Sequence, residues 1–308
     1  MAGGEYTVPI DPTRTQIGWI GIGVMGAAMA SRLLAAGYSL SIYARTPSKA
    51  AALLSHGAHL AASPAELAAS SDVIFTMIGH PSDVRNLVLD TLVPSLKPNT
   101  VIIDHTSSHP ALAREIHSAA QRRHCHSVDA PVSGGDIGAR EGKLAIFAGG
   151  EAEIVEWLKP LFDLLGKVTY MGSAGKGQSC KIANQVVVGG NLVGLSEGLV
   201  FAEKAGLDKK KFLGAVRGGA AGSMALELFG ERMIDKDFRP GGFADYMVKD
   251  LGMAVDLGEE EGAGDEAVVL PGAGLCKQLF SAMVANGNGK LGTQGLITVI
   301  QMINSIKD

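Results

Sequence analysis

Three groups of residues in this 308-residue chain have types and spacings suited to chemistry. The first is Gly21-Ile22-Gly23-Val24-Met25-Gly26, which follows the apolar run Ile17–Ile20 and precedes a helix-forming stretch, Ala27–Ala35. In that strand–turn–helix setting, the first glycine permits a tight turn. The second lets backbone approach a pyrophosphate, and the third lets helix and strand pack closely. The N–H groups of the first helical turn then face the phosphates of a dinucleotide. The second group is Asp129-Ala130-Pro131-Val132-Ser133-Gly134-Gly135, at the end of an expected strand. The Ser133 hydroxyl and the consecutive N–H groups of Gly134 and Gly135 can hold an anion such as a substrate carboxylate, although a plain glycine turn accounts for the run as well. The third is Gly175-Lys176-Gly177-Gln178-Ser179-Cys180-Lys181-Ile182-Ala183-Asn184, in which Lys181 and Asn184 are three apart and share a helix face. A partly desolvated lysine can donate to a carbonyl oxygen and exchange its proton, while an asparagine holds the same oxygen without titrating. Spacing alone favours the plainer account, a solvated Lys and Asn on a polar helix surface.

An NAD site places Asp or Glu about 20 residues beyond the glycines, against the ribose hydroxyl. Here the next strand, Leu40–Tyr43, ends in Ala44-Arg45-Thr46, with Lys49 one turn further on. Arg45 and Lys49 suit a 2′-phosphate, and Thr46 can donate a hydrogen bond to it. The expected cofactor is NADP(H) in preference to NAD(H), against the plainer account of an Arg on a solvated loop.

The elements that must position these groups alternate. Apolar runs at Ile17–Ile20, Leu40–Tyr43, Val73–Ile78, Val101–Asp104, Ser127–Ala130, Leu144–Ala148 and Val168–Met171 are expected strands. Helical patterns separate them, with end signals such as Gly37, Gly57 and the capping sequence Ser63-Pro64-Ala65-Glu66. Such alternation implies an α/β fold, a doubly wound and mostly parallel Rossmann-type sheet. From Gln178 to Lys204 the chain then reads helical, interrupted only by Gly189-Gly190, Gly194 and Gly198. Glycine inside a helix costs up to about 1 kcal/mol relative to alanine. A long helix rich in it therefore needs close packing on several sides. Further helical patterns at Asp208–Val216, Met224–Met233, Tyr246–Gly258, Pro271–Ala285 and Thr293–Ile306 complete an all-helical second domain. The expected organisation is a flexible N-terminal segment 1–15, an NADP-binding Rossmann domain 16–176 and an all-helical substrate and dimerisation domain 177–308, joined by the long helix.

With 46% apolar and 19% charged residues, the chain can bury a core, and its net charge of -4 gives no basic footprint for nucleic acid. No apolar run is expected to span a membrane. The cysteines Cys125, Cys180 and Cys276 lie far apart, which argues against a disulfide framework or a zinc site. His124-Cys125-His126 lacks an evident third ligand, and His105 and His109 are expected to straddle a loop–helix junction before Pro110, so no metal is expected. The triplet Glu259-Glu260-Glu261 with Asp265-Glu266 reads as a solvated helix end and turn. The first 15 residues lack a signal-peptide core and are poor in the features of a transit peptide, so the cytoplasm is the default location, or an organelle if a leader has been removed.

The motifs occur in series: Gly21–Gly26 with Met29-Ala30, Asp129–Gly135, Gly-x-Gly-x-x-x-Lys181-x-x-Asn184, then Lys249-Asp250-Leu251. Together, over about residues 16–305, they resemble the β-hydroxyacid dehydrogenase family, most of all its plant 3-hydroxyisobutyrate dehydrogenase-like branch. The resemblance implies that Lys181 is the catalytic lysine and that Asn184 helps bind the reacting oxygen. Ser133, Gly134 and Gly135 would hold the substrate carboxylate, Ser107 would lie near the nicotinamide ribose, and Lys249 would reach the cofactor from the helical domain. It implies a small carboxylate substrate and homodimers or homotetramers formed through that domain. In that reaction Lys181 passes a proton to the carbonyl oxygen as NADPH delivers hydride, and its charge stabilises the developing alkoxide.

The chain also departs from the family. Ile78-Gly79-His80-Pro81 replaces a common Leu-Pro, and Ile78 is expected to keep its cofactor contact through backbone. His105 stands where Met or Ser is common, which implies a more polar nicotinamide pocket. Phe243, in Gly242-Phe243, is one residue nearer Lys249 than in relatives where it lines the substrate pocket, so its role is open. Gly292-Thr293-Gln294 replaces an acidic stretch. Glyoxylate or succinic semialdehyde reduction is the rival activity. An imine reductase usually lacks a lysine at the Lys181 position, and a 6-phosphogluconate dehydrogenase needs a longer helical domain and phosphate-binding arginines. A non-catalytic NADPH-binding scaffold is the alternative of another class, and it would have no need of Lys181.

Overall fold

The computed structural model describes residues 8–260 and 268–306. The chain divides into two compact units, one ending at Lys181 and the other beginning at Ile182. The division thus falls inside the long helix Lys176–Lys204 and not at 176/177. The turn around Asp265-Glu266 lies outside the described residues.

Among the described residues of the first unit, nine strands form one sheet: β1 (Gln16–Ile20), β2 (Ser39–Tyr43), β3 (His59–Leu60), β4 (Val73–Thr76), β5 (Val101–Asp104), β6 (His126–Asp129), β7 (Val132–Ser133), β8 (Leu144–Gly149) and β9 (Gly166–Gly172). Their order is β3-β2-β1-β4-β5-β6-β8-β7, with β9 paired to β8. β1 to β6 are mutually parallel, and β8 runs antiparallel to β6 and β7. The chain order reverses between β1 and β4, and ligands of open α/β sheets bind outside the carboxyl ends of strands at such a point.

The residues of β4 and β5, Val-Ile-Phe-Thr and Val-Ile-Ile-Asp, are buried throughout, as strands covered on both faces must be. Alternation divides them between two cores. Trp19, Phe75 and Ile103 pack with Met29, Leu33 and Phe162 on one face, and Ile20, Ile74 and Ile102 with Leu67, Val88 and Ile116 on the other. The cap at Ser63 forms as expected: its hydroxyl accepts the Glu66 N–H at 3.1 Å, and Glu66 Oε2 accepts the Ala62 N–H at 3.0 Å. His109 caps the helix Pro110–Gln121 by accepting the Ala111 N–H at 3.1 Å, which fixes the junction between it and His105.

The second unit is helical. Lys209–Val216, Met224–Ile234, Ala244–Glu260, Pro271–Met283 and Leu296–Ile303 surround the later turns of the long helix, with Leu192, Leu199, Leu251, Phe280, Met283 and Leu296 in the core. Two expectations about the long helix need correction. By length and composition it could cross a membrane, but its first turn is hydrogen-bonded to the sheet and its later leucines form this core. Its glycines are also not all packing contacts. A Cβ on Gly189 would lie 3.4 Å from Leu251 and Cys276, whereas one on Gly190 or Gly194 would meet nothing within 4 Å.

Candidate active site

The cofactor end is built at the strand reversal. Gly21 takes φ +101°, and a Cβ there would fall 2.1 Å from the Met77 carbonyl oxygen, so the loop after β1 lies against the loop after β4. A Cβ on Gly26 would fall 1.9 Å from the Gly21 carbonyl oxygen, which explains the third glycine. Gly23 is exposed, a Cβ on it would meet nothing, and it begins the 12-residue helix Val24–Ala35. That helix has no side-chain cap and no acid in its first turn. An open helix start with an uncompensated positive end fits a pyrophosphate. Ile22 completes the turn, and Val24 and Met25 open the helix. β1 pairs with β2 through Ile20 and Tyr43, so Arg45 and Thr46 follow immediately beyond the parallel partner of the glycine loop, and both are exposed, as is Lys49. Such placement fits a 2′-phosphate.

The loops after β4 and β5 are tied together. Asp104 Oδ1 accepts the Thr76 hydroxyl at 2.8 Å and the Thr106 N–H at 3.0 Å, and Thr106 Oγ1 accepts the Ile78 N–H at 3.0 Å. The Ile78 amide is therefore engaged inside the protein. Ser107 is half-buried between Thr106 and Ser108. His105 corrects an expectation, because it does not make the nicotinamide pocket more polar. It is fully buried, stacks on Phe75 at 5.5 Å beside Trp19 and Phe162, and bonds the Ala130 carbonyl through Nδ1 at 2.5 Å. Burial pushes its imidazole down to about 4.

Ser133 ends β7, paired with Ala145 of β8, and Gly134 and Gly135 follow at φ +129° and +63°. The same strand β8 receives the start of the long helix. A Cβ on Gly177 would lie 2.4 Å from the carbonyl oxygens of Phe147 in β8 and Asp129 in β6, so only glycine lets the helix come this near the sheet. Asp129 accepts the N–H groups of Gly175 and Gln178 at 2.8 Å each. Burial pushes its carboxyl up to about 7 against the opposing pull of those two N–H groups. Lys181 follows one turn after Gln178 and is buried, with 8% of its surface exposed. Asp129 and Gln178 stood within the quoted motifs without a role. The signal that could have found them is a carboxylate at a strand end, answered by a glycine-released helix start.

In the helical unit, Asn184 donates to Gln185 Oε1 at 2.9 Å, and Gln185 donates to Asp250 Oδ2 at 2.7 Å. Lys249 pairs with Asp250 Oδ1 at 3.2 Å and lies 5.4 Å over the Tyr246 ring. One chain of polar contacts thus joins Asn184 to Lys249 through two buried residues, Gln185, which the sequence did not single out, and Asp250, which stood in the Lys249-Asp250-Leu251 motif without a role. Phe243 is half-buried, packs edge-on against Tyr246 at 5.5 Å and bridges to Gly292.

The chain matches known families over most of its length. Residues 16–172 match the family described as the NAD binding domain of 6-phosphogluconate dehydrogenase, and residues 175–300 match that described as NAD-binding of NADP-dependent 3-hydroxyisobutyrate dehydrogenase. The chain is 57% identical over 303 residues to an Arabidopsis thaliana protein named probable 3-hydroxyisobutyrate dehydrogenase-like 3, mitochondrial, covering 98% of this chain and 92% of that one. It is 56% identical over 304 residues to the like 2 protein of the same plant, also named mitochondrial, covering 98% and 99%. Among solved structures, the Mycobacterium tuberculosis 3-hydroxyisobutyrate dehydrogenase with L-serine shares 28% identity and a TM-score of 0.82, covering 93% of this chain and 99% of that one. From the glycine loop to the helical unit, this chain belongs to the β-hydroxyacid dehydrogenase family of NAD(P)-binding oxidoreductases.

Proposed function

We propose that the protein transfers hydride between NADP(H) and a small 3-hydroxy acid or its semialdehyde, in the manner of a 3-hydroxyisobutyrate dehydrogenase. The observation that carries this is a buried Lys181, one turn beyond a helix start bonded to Asp129 at the end of β6 and to the loop after β5. NADPH, when bound, supplies the hydride. Gly21, Gly23 and Gly26 admit its pyrophosphate, and Arg45 and Thr46 hold its 2′-phosphate. Ser133 and the amides of Gly134 and Gly135 fix the substrate carboxylate. Lys181 donates a hydrogen bond and then its proton to the carbonyl oxygen, and takes it back in the reverse direction. Asn184 is assigned to orient that oxygen and Lys249 to bind the cofactor.

The exposed Arg45 loop supports a second reading, a glyoxylate or succinic semialdehyde reductase, since NADP(H) generally serves reduction. NADPH consumption with glyoxylate, succinic semialdehyde, methylmalonate semialdehyde and tartronate semialdehyde separates the two. Preference for methylmalonate semialdehyde supports the first activity, preference for glyoxylate or succinic semialdehyde the second, and consumption with none contradicts both. The mitochondrial names of both plant relatives support an organellar rather than a cytoplasmic setting. Exposed Val187, Phe201, Leu275, Met302 and Ile303 of the helical unit support a homodimer or homotetramer formed there, which light scattering would read directly.

A further inference from the structure

The first turn of the long helix is fixed by hydrogen bonds to which the proposed reaction assigns no task. The early N–H groups of a helix have no partner within it. Asp129 supplies one to Gly175 and Gln178. Gln178 then reaches back to the loop after β5. Its Nε2 donates to the Thr106 carbonyl at 2.7 Å, and its Oε1 accepts the Ser108 N–H at 2.8 Å. These two bonds bracket Ser107, and Thr106 extends the network through its hydroxyl to Ile78. Gln178 is 1% exposed, so neither bond is traded against water.

Lys181 lies three residues on. Residues at that spacing are neighbours on one helix face, and Cα–Cβ bonds tilt towards the helix start. The Lys181 stem therefore leaves the helix on the face, and towards the turn, that Gln178 pins. A neutral amide suits this post. It must donate to a carbonyl and accept from an N–H at once, which among neutral non-titrating side chains an amide does with both ends.

We propose that Gln178, seated by Asp129, is a positioning residue for the reaction. It locks the first turn of the long helix to the loop carrying Ser107 and so sets the reach of the Lys181 ammonium. This role rests on Lys181 being the proton donor. Gln178 itself touches no reacting atom.

The test is a double-mutant cycle on the full chain: wild type, Gln178→Ala, Lys181→Ala and the double variant. Single-turnover NADPH oxidation is followed at saturating NADPH, with glyoxylate, succinic semialdehyde or whichever of the four semialdehyde and oxo-acid probes the wild type consumes fastest. Misplacing a catalytic group by about 1 Å can cost about 10²-fold, and Gln178→Ala is expected to slow wild type by that order. In the Lys181→Ala background it should add no more than about twofold, because the group it positions is gone. If Gln178→Ala does not fold, Gln178→Glu carries the same cycle. It keeps the acceptor for Ser108 and loses the donor to Thr106, with an expected loss of about tenfold. An additive cycle, or a Gln178 variant as fast as wild type, overturns the positioning role and leaves the Lys181 assignment standing. A Lys181→Ala protein within about tenfold of wild type overturns the functional reading itself, and this role with it.

Discussion

Asp129 Oδ2 accepts the Gln178 N–H at 2.8 Å, while its Oδ1 accepts that of Gly175, so one buried carboxylate at the end of β6 closes the turn that starts the long helix. Removing it leaves two buried N–H groups without a partner. Asp129→Ala is expected to destabilise the protein by about 3 kcal/mol, since each orphaned buried donor costs about 1–3 kcal/mol. Urea unfolding checks this, and a loss below about 1 kcal/mol contradicts the structural role.

Gly177 is held by contact rather than by dihedral freedom. Gly177→Ala drives a Cβ to 2.4 Å from two backbone oxygens, neither of which can rotate away as a side chain would. The helix start must shift, at about 3 kcal/mol, the upper range for overpacking. Thermal unfolding and turnover should fall together in this variant. Wild-type values of both would show that the helix does not approach the sheet as described.

Arg45 and Thr46 follow the end of β2, beside the glycine loop. If Arg45 holds the 2′-phosphate as proposed, Arg45→Asp exchanges a charge-assisted contact for repulsion. It is expected to weaken NADPH binding about a hundredfold, which is about 2.7 kcal/mol, with NADH affinity unchanged or improved. Fluorescence titration with both cofactors reads the ratio, and an unchanged ratio removes the argument for NADP(H).

His105 sets a pH dependence. Its folded value, about 4, lies below the ordinary histidine value of 6.5, so between those two the unfolded chain binds more protons. Its contribution is fully present above about pH 6.5 and is lost as pH falls towards 4, by roughly 3 kcal/mol in all. His105→Met removes the titrating group from the stack against Phe75. Its unfolding free energy should fall less than that of wild type between pH 7.5 and 4.5. Equal losses in the two proteins would mean that the ring is not buried in the neutral form.

Much of this was legible from residue patterns, and the misses have physical causes. β1, β2, β4, β5, β6, β8 and β9 announce themselves as short apolar runs between helical patterns. β3 and β7 have two residues each, too few for any period, and β7 is hidden inside the Ser133 turn motif. The strand expected to run to Ile78 stops at Thr76, where Ile78 leaves the ladder to bond Thr106. His105 misled because its place after β5 suggests the cofactor side, whereas its ring turns into the core beside Trp19 and Phe75. Gln178 was invisible as a linker because its partners, Thr106 and Ser108, lie some seventy residues earlier. No local spacing encodes a contact of that range.

In the proposed reaction Lys181 carries the proton. Replacing it with alanine, and measuring single-turnover NADPH oxidation beside NADPH affinity, tests this most directly. The expected result is a rate lowered by about 10³-fold or more, with a dissociation constant for NADPH close to that of wild type. A rate within about tenfold of wild type at unchanged affinity would contradict it.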